Sequence, residues 1–88
     1  MKVVITRKFR QQVDSCGDPS IRKKVGIIFG KIELAENMSG VANLKKLRGA
    51  KNSYRIRVGD YRIGLTIEGD LLVFAAFDHR SDIYKYFP

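Results

Sequence analysis

The chain has 88 residues, with 17 lysines and arginines against 9 aspartates and glutamates, so its formal net charge is +8. Its hydrophobic fraction of 44% argues against disorder, and its length suits a single domain over residues 1–88. The excess of positive charge predicts a partner of opposite sign, which is a nucleic acid, an acidic protein or an anionic surface.

The cysteine count and the hydropathy of the chain indicate its compartment. The single cysteine, Cys16, excludes an internal disulfide and fits a reducing environment. No apolar run approaches the length of a membrane span, and the N-terminus lacks the apolar core of a signal peptide. We therefore expect a cytoplasmic protein without a membrane partner, in which Cys16 is a buried structural thiol.

The N-terminal part predicts one strand and two helices. Residues 2–6 are β-branched and bounded by charge, which is typical of a strand. Apolar residues then recur at helical spacing and predict a short helix over residues 7–15. A second helix is expected to begin at Pro19 with Asp18 as its N-cap, because proline is tolerated at the first helical position.

Residues 54–65 alternate strictly between apolar and polar side chains, the pattern of half-buried strands. Gly59 and Asp60 interrupt the alternation with turn residues, so this stretch predicts a two-residue β-hairpin. The expected cross-strand pairs are Val58 with Tyr61, Arg57 with Arg62, Ile56 with Ile63, and Arg55 with Gly64.

Arg55, Arg57 and Arg62 then project together from the face of the hairpin opposite the apolar residues. Like charges directly opposite each other across a strand pair destabilise a sheet by up to about 1 kcal/mol. Three guanidinium groups without an acid among them indicate a site for a polyanion, because the planar guanidinium matches a phosphate group. The alternative is a solvated basic face that keeps the sheet soluble.

The segment that precedes the hairpin adds further positive charge. Residues 45–62 contain seven lysines and arginines and one acid, so most of the net charge lies in one contiguous stretch. Its first four cations are candidates for contacts with an RNA backbone. They are Lys45, Lys46, Arg48 and Lys51. The alternative for these residues is ordinary solvated charge.

Residues 71–77 are almost wholly apolar, which predicts a strand covered on both faces. The polar end of the chain follows, with His79, Arg80 and Tyr84. The order of elements is β-α-α-β-β-β. It predicts an α+β domain in which two N-terminal helices pack on a twisted, mainly antiparallel sheet.

The residues suit RNA cleavage without a metal or a cofactor. One histidine and one cysteine make a zinc site improbable, and the glycines match no phosphate-binding loop. In such a reaction the ribose 2′-hydroxyl is the nucleophile, so the protein supplies a base, an acid and cations. The three hairpin arginines suit the cationic role, His79 titrates nearest neutrality, and Tyr84 is able to stack on a base. The alternatives are a hydrogen-bonded histidine at a strand end and a tyrosine that packs at the rim.

Three motifs in order resemble the RelE/ParE superfamily of toxins from toxin–antitoxin pairs. The motifs are L-x-x-L-R-G, Y-R-I-R-V-G-D-Y-R-I and, after a hydrophobic strand, H-R-S-D-I-Y. The preceding strand and helix pair also follow the family order, so the resemblance covers nearly the whole chain. It implies that residues 1–88 form a single RelE-like toxin domain, which a cognate antitoxin protein neutralises in a hetero-oligomer.

The resemblance also implies roles for individual residues. RelE-like members cut mRNA in the ribosomal A site with basic residues on the sheet and a C-terminal arginine and tyrosine. Arg55 and Arg57 match the two basic residues of the first hairpin strand, and Arg62 matches the arginine of the second. Arg80 and Tyr84 match the R-x-x-x-Y ending. Some RelE proteins carry a further arginine two places before that ending, where this chain has Asp78.

The sequence therefore predicts a ribosome-dependent mRNA endoribonuclease that inhibits translation, with the ribosome and mRNA as partners besides the antitoxin. Its predicted catalytic residues combine the sheet arginines with the polar end of the chain. They are Arg55, Arg57, Arg62, His79, Arg80 and Tyr84. Two alternatives remain open at this stage: a ParE-type inhibitor of DNA gyrase, and a degenerate toxin that only binds its antitoxin.

Overall fold

The structure, a computed structural model, describes all of residues 1–88. Two helices follow the first strand, and four further strands follow the helices. The elements are β1 (Lys2–Ile5), α1 (Arg7–Asp14), α2 (Pro19–Leu34), β2 (Leu44–Lys46), β3 (Ser53–Val58), β4 (Tyr61–Glu68) and β5 (Leu71–His79). Two short 3₁₀ turns complete the chain, at Met38–Gly40 and at Ile83–Lys85.

The five strands form one sheet in the order β1-β5-β4-β3-β2. β1 is parallel to β5, whereas the other three pairings are antiparallel. The predicted α+β fold with two helices on a mainly antiparallel sheet is therefore confirmed. β2 is a strand beyond the predicted order, because three residues are too few to give a recognisable alternation.

Side-chain caps define where the helices begin. The Thr6 hydroxyl accepts a hydrogen bond from the backbone N–H of Phe9 at 3.2 Å, which starts α1 directly after β1. The Asp18 carboxylate caps α2, with Pro19 at its first position, as predicted. The hydroxyl and the backbone N–H of Ser20 donate to this carboxylate and hold the pKa of Asp18 below its usual value.

The main hydrophobic core lies between the helices and one face of the sheet. Ile63, Leu65 and Phe74 are fully buried there, and the rings of Phe9 and Phe74 meet edge to face with centroids 5.2 Å apart. Cys16 belongs to the same cluster, which confirms that its thiol is buried. Neither helix is long and apolar enough to cross a membrane.

The hairpin of β3 and β4 has the predicted register at all four of its predicted pairs. Gly59, the first turn residue, has a φ of +59°, whereas Asp60 has an ordinary negative φ. A positive φ at the first central residue alone is typical of a type II′ turn, whose twist matches that of paired strands. The turn therefore fixes the pairing that places Ile56 opposite Ile63 in the core.

The pairing of β4 with β5 contains a β-bulge. Gly64 lies opposite Ala76. The next residue, Leu65, lies opposite Phe74, which leaves Ala75 as an extra residue in β5. From Ala76 onward, each side chain of β5 therefore points to the opposite face from the one that uninterrupted alternation from Phe74 would give.

The bulge explains the two phenylalanines of β5 that face the helices. Phe74 and Phe77 are three residues apart, yet both rings contact Phe9, at centroid distances of 5.2 and 6.2 Å. The same change of alternation turns Asp78 toward the other face of the sheet and His79 toward the helix side.

The second face of the sheet is partly covered by residues 83–87, which we call the C-terminal segment. Ile83 and Phe87 are buried there against Ala76 in a small cluster of their own. Phe87 lies directly over Gly64, where an added Cβ atom would come within 2.7 Å of its ring. Glycine is required at this strand position because the aromatic ring occupies the space of a side chain.

We predict that Gly64→Ala lowers the free energy of unfolding by about 1–3 kcal/mol, because the new methyl group displaces the Phe87 ring. Urea denaturation measures this change. Gly26→Ala is the matched control, since nothing lies within 4 Å of its added Cβ atom and alanine favours a helix by up to about 1 kcal/mol. Equal stability of Gly64→Ala and the wild type would contradict the packing described here.

Candidate active site

The sheet face opposite the helices, which we call the basic face, collects cations from three adjacent strands. Lys45 of β2 lies opposite Arg55 of β3. Arg57 of β3 lies opposite Arg62 of β4. Residues directly opposite each other in an antiparallel pair share a face, and the two arginines of β3 are two residues apart. The strand register therefore brings together Arg55, Arg57 and Arg62, which we call the arginine cluster.

Arg62 is the most buried member of the cluster, with 8% of its surface exposed. Its Nη1 atom donates to the backbone oxygens of Gly59 at 2.9 Å and Tyr61 at 2.8 Å. Burial lowers the pKa of Arg62, and the positive charges of Arg57 and Arg55 lower it further. The side chain is thus held by neutral carbonyl groups among like charges.

No carboxylate neutralises the arginine cluster. The three ion pairs of the structure are Lys2–Asp70, Arg80–Asp60 and Lys85–Asp82. All three are solvent-exposed pairs, which contribute little to stability. Because the guanidinium groups of the cluster form no internal ion pair, they remain free to bind an external anion.

Arg80 and Tyr84 complete the part of the predicted site that lies near the cluster. The charge of Arg80 also lowers the pKa of Arg62, whereas Tyr84 raises it. Tyr84 is 47% exposed, although its neighbour Ile83 is buried. Arg80 is partly occupied by an exposed contact with Asp60 at 3.7 Å. Strand register therefore groups three of the six predicted catalytic residues, and the charges of Arg80 and Tyr84 act on one of the three, Arg62.

His79 is the predicted residue that lies elsewhere. It pairs with Tyr61 across the sheet, and the two rings meet edge to face at 5.6 Å on the helix side. Its Nδ1 atom accepts from the backbone N–H of Ser81 at 3.2 Å and lies 2.8 Å from the Ser81 hydroxyl. Acceptance from a backbone N–H assigns the proton of the neutral ring to Nε2. The geometry matches the alternative interpretation of a hydrogen-bonded histidine at a strand end.

On the helix side of the sheet, His79 lies beside aromatic side chains. The Tyr61 ring stacks on Phe77 with centroids 5.0 Å apart. The nearby Cys16 thiol raises the pKa of Tyr61. No three histidine, cysteine, aspartate or glutamate side chains come close enough together to hold a metal ion.

The four candidate RNA contacts are divided among three places. Lys45 joins the basic face, whereas Lys46 pairs with Tyr54 and points to the other side of the sheet. Arg48 and Lys51 are exposed in the loop between β2 and β3. This loop lies at the edge of the sheet nearest to Arg55, so it extends the positive surface beyond the strands.

Asp78 is a residue of this region whose contacts the sequence did not indicate. It lies opposite Arg62 on the basic face, but its carboxylate does not pair with that arginine. One oxygen accepts from the backbone N–H of His79 at 2.8 Å, and the other accepts from the Tyr86 hydroxyl at 2.8 Å. The second bond depends on the folded path of the chain, so no local pattern predicts it.

The five-stranded sheet with two helices on one face is the fold of RelE-like toxins. The sequence model of the ParE toxin family of type II toxin–antitoxin systems (parDE) matches residues 3–84. The chain therefore belongs to this family and is a toxin of the RelE/ParE type. It is 36% identical to Toxin RelE3 of Methanocaldococcus jannaschii over 89 residues, which cover all of both chains.

Solved structures agree with this assignment. The RelB–RelE antitoxin–toxin complex from Methanococcus jannaschii contains a chain with 32% identity and a TM-score of 0.80, covering 97% of this chain and 99% of that one. A chain of the RelBE2 toxin–antitoxin complex of Mycobacterium tuberculosis has a TM-score of 0.68 at 24% identity, and the match covers 90% of this chain and 96% of that one. The YoeB dimer of Staphylococcus aureus has a TM-score of 0.68 at 14% identity, and the match covers 90% of this chain and 95% of that one. The last two likenesses establish the fold alone.

We predict that Arg57→Gln raises the free energy of unfolding by up to about 1 kcal/mol at low salt, because it removes the repulsion between Arg57 and Arg62. The gain is expected to shrink as salt screens the charges. Urea denaturation at low and high ionic strength measures both effects. Lys51→Gln in the exposed loop is the control, with an expected change below roughly 0.5 kcal/mol. A loss of stability in Arg57→Gln at every salt concentration would rule out this repulsion.

Proposed function

We propose that this toxin is a ribosome-dependent endoribonuclease that cleaves mRNA in the A site and so inhibits translation in the cytoplasm. The observation that supports this function is the arginine cluster, in which three guanidinium groups share one face without an internal carboxylate partner. A face of this kind suits phosphate, because guanidinium groups donate charge-assisted hydrogen bonds to phosphate oxygens.

In the proposed reaction the ribose 2′-hydroxyl attacks the adjacent phosphorus atom. The bond to the 5′-oxygen of the next nucleotide breaks, which leaves a 2′,3′-cyclic phosphate. The 2′-oxygen gives up its proton and the leaving 5′-oxygen takes one up, so the second product is a free 5′-hydroxyl group with no net change in protons. Arg57 and Arg62 stabilise the charge that develops on the phosphate oxygens, and Arg55 and Arg80 bind the neighbouring backbone. Tyr84 stacks on a base beside the scissile bond. His79 lies on the opposite face and is left out of the proposed site.

The proposed protein partner is a cognate antitoxin. The solved relative at 32% identity is a RelB–RelE antitoxin–toxin complex that aligns with 97% of this chain. An antitoxin that covers the basic face would block the same guanidinium groups that RNA requires. We therefore propose a hetero-oligomer in which antitoxin and mRNA compete for one surface.

We predict that the wild type produces mRNA ends within A-site codons in a translating extract, as mapped by primer extension. Arg62→Ala is expected to lower the cleavage rate by about 10²-fold, since it removes a donor to the developing charge. Arg57→Gln is also expected to lower the cleavage rate, and it preserves the fold. Arg22→Ala, an exposed cation of α2 on the helix side, is the matched control. Unchanged cleavage in both cluster variants would refute the proposal.

Inhibition of DNA gyrase is the second candidate, because the description of the matching family names ParE toxins. Asp78 also stands where some RelE-like proteins carry an arginine. Intact mRNA in the same extract, together with lost supercoiling by purified gyrase, would establish this function instead. Intact mRNA with active gyrase would leave a toxin that only binds its antitoxin.

We predict that the affinity for single-stranded RNA falls steeply as salt rises, because phosphate binding releases counterions. Arg55→Gln is expected to reduce the slope of log K against log salt by about 0.7 for each phosphate group that the variant no longer binds. Filter binding or fluorescence anisotropy across a salt series measures the slope. Arg22→Gln is the control and is expected to leave the slope unchanged. A slope near zero for the wild type would exclude the binding of RNA phosphate groups by the basic face.

A further inference from the structure

The Tyr86 hydroxyl joins three separate parts of the chain. It donates to one carboxylate oxygen of Asp78 at 2.8 Å and accepts from Nε2 of Gln12 at 2.6 Å. Oε1 of Gln12 in turn accepts from the backbone N–H of Phe77 at 3.0 Å. The C-terminal segment is thereby connected to both β5 and α1.

The position of Gln12 follows from the edge of the sheet. β1 pairs with β5 only as far as Phe74, so the N–H of Phe77 has no neighbouring strand on that side. A partly buried N–H without a partner costs about 1–3 kcal/mol, and the Gln12 amide supplies the missing acceptor. The amide is thereby held at one end, and its N–H₂ group is directed toward Tyr86.

The backbone of the C-terminal segment is not bound to the sheet. The N–H groups of Lys85, Tyr86 and Phe87 donate to carbonyl oxygens of residues 82 and 83, which are within the segment or next to it. Only side chains therefore fix the segment to the rest of the protein. Phe87 packs on Gly64, and Tyr86 binds Asp78 and Gln12.

Tyr84 depends on these side-chain contacts for its position. It lies in the same 3₁₀ turn as Ile83, whose side chain is buried against the sheet. Phe87 lies over Gly64, the residue opposite Arg55, so the segment crosses the basic face directly beside the arginine cluster. Release of the segment would move Tyr84 away from the cluster without disturbing the strands that carry the arginines.

We propose that Gln12, Asp78 and Tyr86 form a latch that holds the C-terminal segment on the sheet and so keeps Tyr84 beside the arginine cluster. The catalytic part of this inference rests on the proposed RNA cleavage, whereas the latch itself does not. Asp78 is then a positioning residue, and its carboxylate is bound by Tyr86 instead of pairing with Arg62 across the strand.

The chemistry of Tyr86 suits this role. Burial and the hydrogen bond to Asp78 raise the pKa of Tyr86, so the hydroxyl stays protonated and donates at neutral pH. The Lys8 ammonium lies 3.9 Å from the centre of the Tyr86 ring, which adds a cation–π contact from α1. The tyrosine is thus bound by α1 through Lys8 and Gln12 and by β5 through Asp78.

The latch is tested with Tyr86→Phe and Asp78→Ala, which both remove the hydrogen bond between these residues. Backbone amide exchange of residues 83–87, measured by NMR, reports the position of the segment. We expect exchange about tenfold faster in Tyr86→Phe and Asp78→Ala, and unchanged exchange in β4. Lys85→Gln is the control within the segment, because it removes only an exposed ion pair.

The same variants are then assayed for steady-state cleavage of mRNA on ribosomes. Tyr86→Phe and Asp78→Ala are expected to lower kcat about tenfold with KM within about twofold, since misplacement of Tyr84 affects the reaction more than RNA binding. Unchanged exchange in both variants would overturn the latch, and a released segment with normal kcat would overturn the positioning of Tyr84. If the wild type cuts no mRNA on translating ribosomes, the proposed function fails, and the exchange result alone decides whether the latch exists.

Discussion

Arg57 and Arg62 lie directly opposite each other in the hairpin and repel each other. The rest of the structure must hold the two strands together against this repulsion. The repulsion costs up to about 1 kcal/mol. Burial and the neighbouring positive charges lower the pKa of Arg62. On the other face of the same two strands, Ile56 and Ile63 are fully buried, and each contributes about 1.5–3 kcal/mol. The apolar face therefore holds a register that the basic face alone would oppose, and the charge remains available for an external anion.

The candidate site combines a rigid part with a part that is held only by side chains. The arginines belong to strands whose backbone hydrogen bonds fix them, whereas Tyr84 belongs to a segment without backbone bonds to the sheet. Gly64 connects the two parts, because the missing side chain admits the Phe87 ring beside Arg55. A segment of this kind opens at a lower free energy than the sheet, so the geometry of the site is set by a few side-chain contacts.

Local rules were sufficient for much of the fold and of the arginine cluster. The alternation of residues 54–65 and the turn at Gly59 determine the hairpin register, and Asp18 with Pro19 determines the start of α2. The strand β2 was not predicted, because its three residues are specified by pairing with β3 and not by their own pattern. The bond between Asp78 and Tyr86 was also missed, since it arises only when the segment folds back over the sheet. The roles of the site residues in catalysis stay predictions.

The bulge at Ala75 decides which polar side chain of β5 reaches the arginines. With uninterrupted alternation from Phe74, His79 would face the arginine cluster and Asp78 would face the helices. The extra residue exchanges them, so a titratable base is placed with Tyr61 and a carboxylate is placed across from Arg62. A free carboxylate there would be placed to pair with Arg62. The Tyr86 hydroxyl binds it instead, and the same hydroxyl fixes the C-terminal segment.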